Sequence, residues 1–216
     1  MDDASDVALR MRDVIFALRA AEEYNETLNR IRLQKFVYLL DVVAILYDLF
    51  PTADGHVTYK NGPYDSTIQN AVDALAFRGF VQVVSSHSTP HGSVSSEYAL
   101  SAAGRAWCDR LAAESRLQAR WIAAKDVADR VNYFGWPRLV QLVYSEPTFV
   151  VARNGGVGQR LRPAAPGGAS ASNLLRCFRY ALGQRRDAAQ VSRQVLLDLF
   201  FRYLDQYARR IGERVT

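Results

Sequence analysis

Ile31-Arg32-Leu33-Gln34-Lys35-Phe36-Val37-Tyr38-Leu39-Leu40-Asp41-Val42-Val43-Ala44-Ile45-Leu46-Tyr47-Asp48-Leu49-Phe50 is the stretch around which the chain reads as organised. Leu33, Phe36, Val37, Leu40, Val43, Ala44 and Tyr47 recur at three and four residues, the spacing of one helical face. Leu39, Val42, Leu46 and Leu49 widen that stripe until little polar surface remains, so the sequence predicts a central helix packed on most sides. Arg32, Lys35, Asp41 and Asp48 break the run well short of the ~18 uncharged residues of a membrane span. Thr27 or Asn29 is placed to cap its start and Pro51 to end it.

Upstream, residues 4 to 24 predict a first helix, with Val7, Met11, Val14, Ile15, Leu18, Ala20 and Ala21 as its stripe and Asp2, Asp3 and Asp6 at the favourable end of its dipole. Downstream, His56 to Lys60 is a short β-like run and Asn61-Gly62-Pro63-Tyr64 a turn by composition. Asp65 or Ser66 then caps a third helix, Ser66 to Arg78, inward at Ile68, Ala71, Val72, Leu75 and Ala76, with Gly79 placed to end it. Phe80 to Val84 reads as a strand, Ser85 to Ser95 as a hairpin loop and Ser96 to Leu100 as the returning strand. Ser101 caps a further helix with Ala102, Ala106, Trp107 and Leu111 facing inward. This order is that of a winged helix-turn-helix over residues 1–115, the run at 57–60 supplying the third strand of the small sheet.

Residues 116–216 read as a helical, Arg-rich region. Leu117 to Tyr133, Pro137 to Tyr144, Ser172 to Leu182 and Arg186 to Ile211 carry the helical patterns, Pro137 suiting a first turn. Between them, residues 154–169 hold five Gly, two Pro and three Ala, a loop expected to be mobile or ordered by a partner. The predicted fold class is mainly α with a small antiparallel β wing.

Composition narrows the function classes. With 216 residues, 49% of them hydrophobic, the chain can bury a sizeable core. No cleavable leader pattern opens it and no transmembrane run follows, which sets a cytoplasmic expectation. Cys108 and Cys177 lie far apart without metal-knuckle spacing and are read as reduced thiols. The net charge of +5 hides an asymmetry: residues 1–115 hold 10 Lys+Arg against 15 Asp+Glu, and residues 116–216 hold 17 against 7. A basic half suggests an acidic partner, nucleic acid or an acidic protein surface; a solvated, Arg-rich surface is the plain alternative.

Leu33-Gln34-Lys35-Phe36-Val37-Tyr38-Leu39, Tyr59-Lys60-Asn61-Gly62-Pro63-Tyr64, Leu75 with Arg78-Gly79-Phe80, and Tyr98-Ala99-Leu100-Ser101 with Gly104 together carry a resemblance. Over roughly residues 27 to 110 the chain resembles a prokaryotic winged-helix group that includes the Panacea antitoxin domains and the middle components of ABC three-component (Lamassu-like) anti-phage systems. Asn61 stands between Lys60 and Gly62, where a Lys-Tyr-Gly-Pro run is usual in that group. The resemblance implies an antitoxin or defence subunit whose partner is a toxin or an SMC-like ATPase.

No constellation for catalysis, cofactor binding or metal binding is recognisable. His87 and His91 are four apart but separated by Pro90 and unaccompanied by further ligands, so they read as exposed wing residues rather than a zinc pair. Asn154-Gly155-Gly156-Val157-Gly158-Gln159-Arg160 lacks the Gly-Lys-Ser/Thr of a phosphate-binding loop. Carboxylates look scattered, with no paired apolar setting that would tune one of them. Tyr64 reads as a wedge under the third helix and Lys35 as a snorkelling side chain.

Three functional readings follow. The favoured one is a non-enzymatic accessory subunit of a multi-protein assembly, acting by protein–protein binding. Phe200 and Phe201 on the last helix, framed by Arg193, Arg202, Arg209 and Arg210, are the expected contact with a partner or a second copy of the chain. The alternative is a sequence-specific DNA-binding regulator reading bases through Gln69, Asn70 and Arg78. One Arg beside two carboxylates, and a wing without a basic residue, are poor resources for gripping phosphates. A weaker third possibility has the basic C-terminal half touching nucleic acid held by a partner.

Overall fold

A computed structural model describes residues 3–49, 55–88, 94–164, 170–184 and 191–213. The protein is mainly helical with a small antiparallel β component. Helix α1 (Asp3–Glu22) is followed by the two-residue strand β1 (Leu28–Asn29) and by α2 (Arg30–Val43), which continues as a 3₁₀ turn over Ala44–Tyr47. The Asn29 side chain accepts from the Arg32 amide and caps α2. All residues from Leu33 to Val43 are buried, as the wide apolar stripe requires. Asp48, at φ 56°, turns the chain out of the helix, while the expected stop at Pro51 lies outside the described residues.

Strands β2 (Val57–Tyr59) and β3 (Gly62–Tyr64) form a two-stranded hairpin, with Val57 opposite Tyr64 and Tyr59 opposite Gly62. The run at 57–60 therefore does not join the other sheet, contrary to the sequence reading. Helix α3 (Ser66–Phe77) starts at the Asp65 cap, packs against α1, and leads past Gly79 at φ +73° into β4 (Val81–Ser88). Strands β4 and β5 (Val94–Leu100) pair through Val81 opposite Leu100 and Ser88 opposite Val94, with a bulge between Val83 and Ser85. The third strand of this sheet is β1, through Leu28 opposite Tyr98, giving the order β1-β5-β4. Two residues of backbone pairing displaced the longer-looking run because Gly62 and Pro63 fold the latter back on itself.

Helix α4 (Ala102–Ala113), capped by Ser101, leads into α5 (Ser115–Phe134). A 3₁₀ turn at Trp136–Arg138 precedes α6 (Leu139–Tyr144) and α7 (Pro147–Ala152). Helices α8 (Ala171–Gly183) and α9 (Arg193–Glu213) complete the chain, and α9 lies against α5, α6 and α8. Much of the segment expected as a mobile loop is ordered. Gly158 donates to the Thr58 carbonyl, Thr58 donates to that of Gln159 and Leu161 to that of His56, each at 2.8 Å. The stretch thus pairs along β2, and its residues 165–169 lie outside the described residues. No described helix is long and apolar enough to cross a membrane.

Candidate functional site

The interior of α1, α2 and α5 holds a charged cluster that the sequence reading passed over. Arg10 sits on the apolar stripe of α1 and is fully buried. Its guanidinium donates to Asp65 (2.9 Å), Asp13 (3.0 Å) and Asp41 (2.7 Å), drawing together α1, α2 and the cap of α3. Arg120 enters from α5, donating to both oxygens of Asp13 at 2.9 and 3.0 Å, to the Leu40 carbonyl at 3.1 Å, and to Asp41. Burial works against every charge here, but Arg10 and Arg120, with the His56 hydrogen bond, hold the Asp41 carboxyl well below its ordinary range. Burial likewise opposes the Arg10 charge, and Asp41, Asp13 and Asp65 more than offset it.

His56 is the sixth member. Its Nε2 donates to Asp41 at 3.0 Å and lies 3.4 Å from the Arg10 guanidinium, while its Nδ1 is buried without a hydrogen bond. Burial, with the neighbouring Arg10 cation, lowers its pKa, so the ring is neutral near pH 7 and carries its proton on Nε2. An Asp–His pair is the kind of unit that can serve as a general base; here His56 is 1% exposed and Asp41 2%, and both are spent on contacts within the cluster. The cluster holds α1, α2, α5 and the start of α3 together. A further buried carboxylate, Glu146, caps α7 through the Thr148 and Phe149 amides and accepts from Tyr38 at 2.5 Å. Burial raises its pKa despite those three donors.

Above the cluster lies a cleft between α2 and the β2–β3 hairpin, where the two segments Leu33–Leu39 and Tyr59–Tyr64 come together. Gln34 donates to the Asp65 carbonyl at 2.8 Å and accepts from its amide at 2.9 Å. Lys35 does not snorkel: it is 2% exposed and donates to the Pro63 carbonyl at 2.8 Å. Burial alone brings its ammonium pKa down to about 8. Gly62, at φ +90°, completes this corner, since a Cβ there would lie 2.4 Å from the Tyr144 ring and 2.9 Å from Lys35 Nζ. Tyr64 is half-buried against Tyr59, their ring centroids 5.3 Å apart.

The residues expected at a partner surface are placed differently. Phe200 and Phe201 are each 0% exposed, packed inside the chain with their centroids 6.0 Å apart and Phe201 facing Phe134. Their apolar spread around α9 is satisfied by α5, α6 and α8, so neither is available to a partner. Arg202 pairs with Asp198 at 2.6 Å, Arg209 with Asp205 at 2.8 Å, and the Arg193 guanidinium lies 4.4 Å from the Tyr47 ring centre. Arg210 is exposed. Of the residues named for base reading, Gln69 is held by Asp73 at 2.7 Å and Arg78 rests on the Met11 sulfur at 3.4 Å, leaving exposed Asn70.

His87 is exposed on β4 and His91 lies outside the described residues. Among the described residues no group of three or more His, Cys, Asp or Glu could hold a metal ion. Cys108 is buried, which pushes its thiol up to about 12, and Cys177 is an exposed free thiol. No protein-family model matches the chain, and no curated protein matches it.

What sequence reading missed had a signal. Arg10 falls three residues after Val7 and four before Val14, and Asp41 falls within an otherwise apolar helix. A charge at such a position must find an opposite charge inside the protein.

Proposed function

We propose that this protein is a non-enzymatic adaptor that works by protein–protein binding through a winged-helix module, within a bacterial anti-phage defence or toxin–antitoxin assembly. The observation that carries the binding mode is the outer surface of α3 and the β4–β5 hairpin. Phe77 is 94% exposed at the end of α3, and Val83, Val84 and Val94 face solvent on the hairpin at 52%, 47% and 70%. Among the described residues the hairpin bears no Lys or Arg, and Arg78 is the one cation of the α3 region. Such a surface offers apolar area to a protein and little to a phosphate backbone. The buried setting of the Asp41–His56 pair supports the non-enzymatic part. The defence context is supported by the resemblance carried by Leu33–Leu39 and Tyr59–Tyr64.

The reading is tested by co-expressing the chain with the products of its genomic neighbours and measuring complex mass by size-exclusion chromatography with light scattering. A stable complex that Phe77→Asp abolishes, with an unchanged melting temperature, is expected. Gel-shift binding to a specific duplex that Asn70→Ala removes would establish the DNA-binding regulator instead.

A further inference from the structure

We infer that the cleft between the first turns of α2 and the β2–β3 hairpin is a docking site for an acidic, apolar peptide segment of a partner protein, whose carboxylate lies against Lys35 and Arg30. This inference rests on the reading of the protein as a protein-binding adaptor and gives it a second face, apart from Phe77 and the β4–β5 hairpin.

The first argument is charge. The cleft, about 340 Å³, has Arg30 at its edge and Lys35 among its lining residues, and no Asp or Glu lines it. Arg30 makes no ion pair among the described residues, and Lys35 spends one N–H on the Pro63 carbonyl while facing no carboxylate. An ammonium has three donors, so two remain for a ligand. A buried ammonium without a counter-ion is costly to keep, and a carboxylate entering the cleft removes that cost. Gly62 contributes by omission: a Cβ there would stand 2.9 Å from the amine.

The second argument is the rim. Ile31 is 43% exposed and Tyr59 48%, on opposite walls of the cleft, and the Tyr59 ring leans on Tyr64. A small free anion would leave both rims in water. A peptide with an apolar side chain next to its carboxylate covers them, which matches the pattern of an anchor in a desolvated pocket ringed by apolar contact. One ammonium and one forked guanidinium suit a single carboxylate, whereas a nucleic acid strand would need a run of cations.

The test is selection of a phage-displayed random peptide library on the full chain, followed by fluorescence-anisotropy titration of the winning synthetic peptide. The expected winners place Asp or Glu beside a large apolar residue, and replacing that acid by its amide weakens binding about tenfold or more. Lys35→Met and Arg30→Gln are expected to weaken it similarly, and Arg30 is exposed, so its variant keeps the test decisive even where Lys35→Met fails to fold. Phe77→Asp is expected to leave peptide affinity unchanged. Winners without an acid, or acidic winners indifferent to Arg30→Gln, would overturn the inference. Acetate that displaces the peptide at equal concentration would assign the cleft to small carboxylates and overturn the peptide occupant. Loss of this binding alone, with the Phe77-dependent complex intact, would remove the second face and leave the proposed function standing.

Discussion

Arg10 and Asp41 meet at 2.7 Å in the interior of the protein, 31 positions apart in the chain and both sealed from solvent. Pairing of this kind repays the desolvation of its charges only when the whole group is satisfied. Here Asp13 and Asp65 occupy the remaining faces of Arg10, and Arg120 occupies the far oxygen of Asp41. The cluster therefore acts as a unit and specifies which turns of α1, α2 and α5 face one another.

Removing one charge from that unit leaves its partners buried without compensation. Asp41→Asn keeps the shape and is expected to lower stability by ~3–5 kcal/mol. Urea unfolding followed by circular dichroism measures the loss, and a change within ~0.5 kcal/mol would contradict the cluster's structural role.

Acidity attacks the same place in two stages. The His56 pKa is lowered in the folded state, so the unfolded chain binds a proton first as pH falls. Stability is thus fully present above about pH 6.5, the unfolded value, and declines below it until the folded ring also protonates. Asp41 is likewise lowered, and its contribution is present above about pH 3.9 and lost as pH drops further. Urea midpoints taken from about pH 7 down to pH 5 should fall more steeply in the wild type than in His56→Gln, the difference between the two profiles being the His56 contribution.

Gly62→Ala and Gly156→Ala separate backbone strain from collision. Gly62 has φ +90° and Gly156 has φ +89°, but only at Gly62 would the new methyl meet Tyr144 and Lys35, since nothing lies within 4 Å of the Gly156 Cβ position. Gly156, at φ 89° and ψ −163°, lies in a region essentially reserved to glycine, so Gly156→Ala is expected to cost ~1–3 kcal/mol from backbone strain alone. Gly62→Ala adds overpacking of ~1–3 kcal/mol and should lower the melting temperature by roughly 5–10 °C. Equal losses at the two sites would refute the close packing of the α2–hairpin corner.

Phe200→Ala tests whether α9 is core. A fully buried aromatic replaced by Ala loses ~3–5 kcal/mol, and that loss should appear in urea unfolding as destabilisation of the isolated chain. A variant as stable as the wild type that failed only to assemble would place Phe200 at an interface after all.

How much of this was legible varied with length and chemistry. The stripe of α2 and the cap at Ser101 could be read directly, and those at Asn29 and Asp65 as one of two candidates each, because helical spacing and an oxygen-bearing side chain before it are local signals. Strand β1 could not, because two residues have no period and Leu28 is committed only by its distant partner Tyr98. Gly158 to Leu161 looked aperiodic for a similar reason: its backbone, not its side chains, makes the bonds to β2. The apolar girdle of α9 was visible but ambiguous, since burial by α5, α6 and α8 and burial by a partner leave the same pattern. At the candidate site, Lys35 and Gly62 were visible as residues, but their meeting depends on how the β2–β3 hairpin folds back over α2.

The order β1-β5-β4 leaves β4 as an outermost strand, eight residues long. Outermost strands present unpaired amides and carbonyls, and proteins usually guard them with lysines, prolines or inward charges. Val81-Gln82-Val83-Val84-Ser85-Ser86-His87-Ser88 has none of these, and the bulge between Val83 and Ser85 is its one built-in irregularity. The consequence is colloidal: this strand is where concentrated protein should self-associate through edge-to-edge pairing, and Val84→Lys is the substitution that should raise its solubility without touching the core.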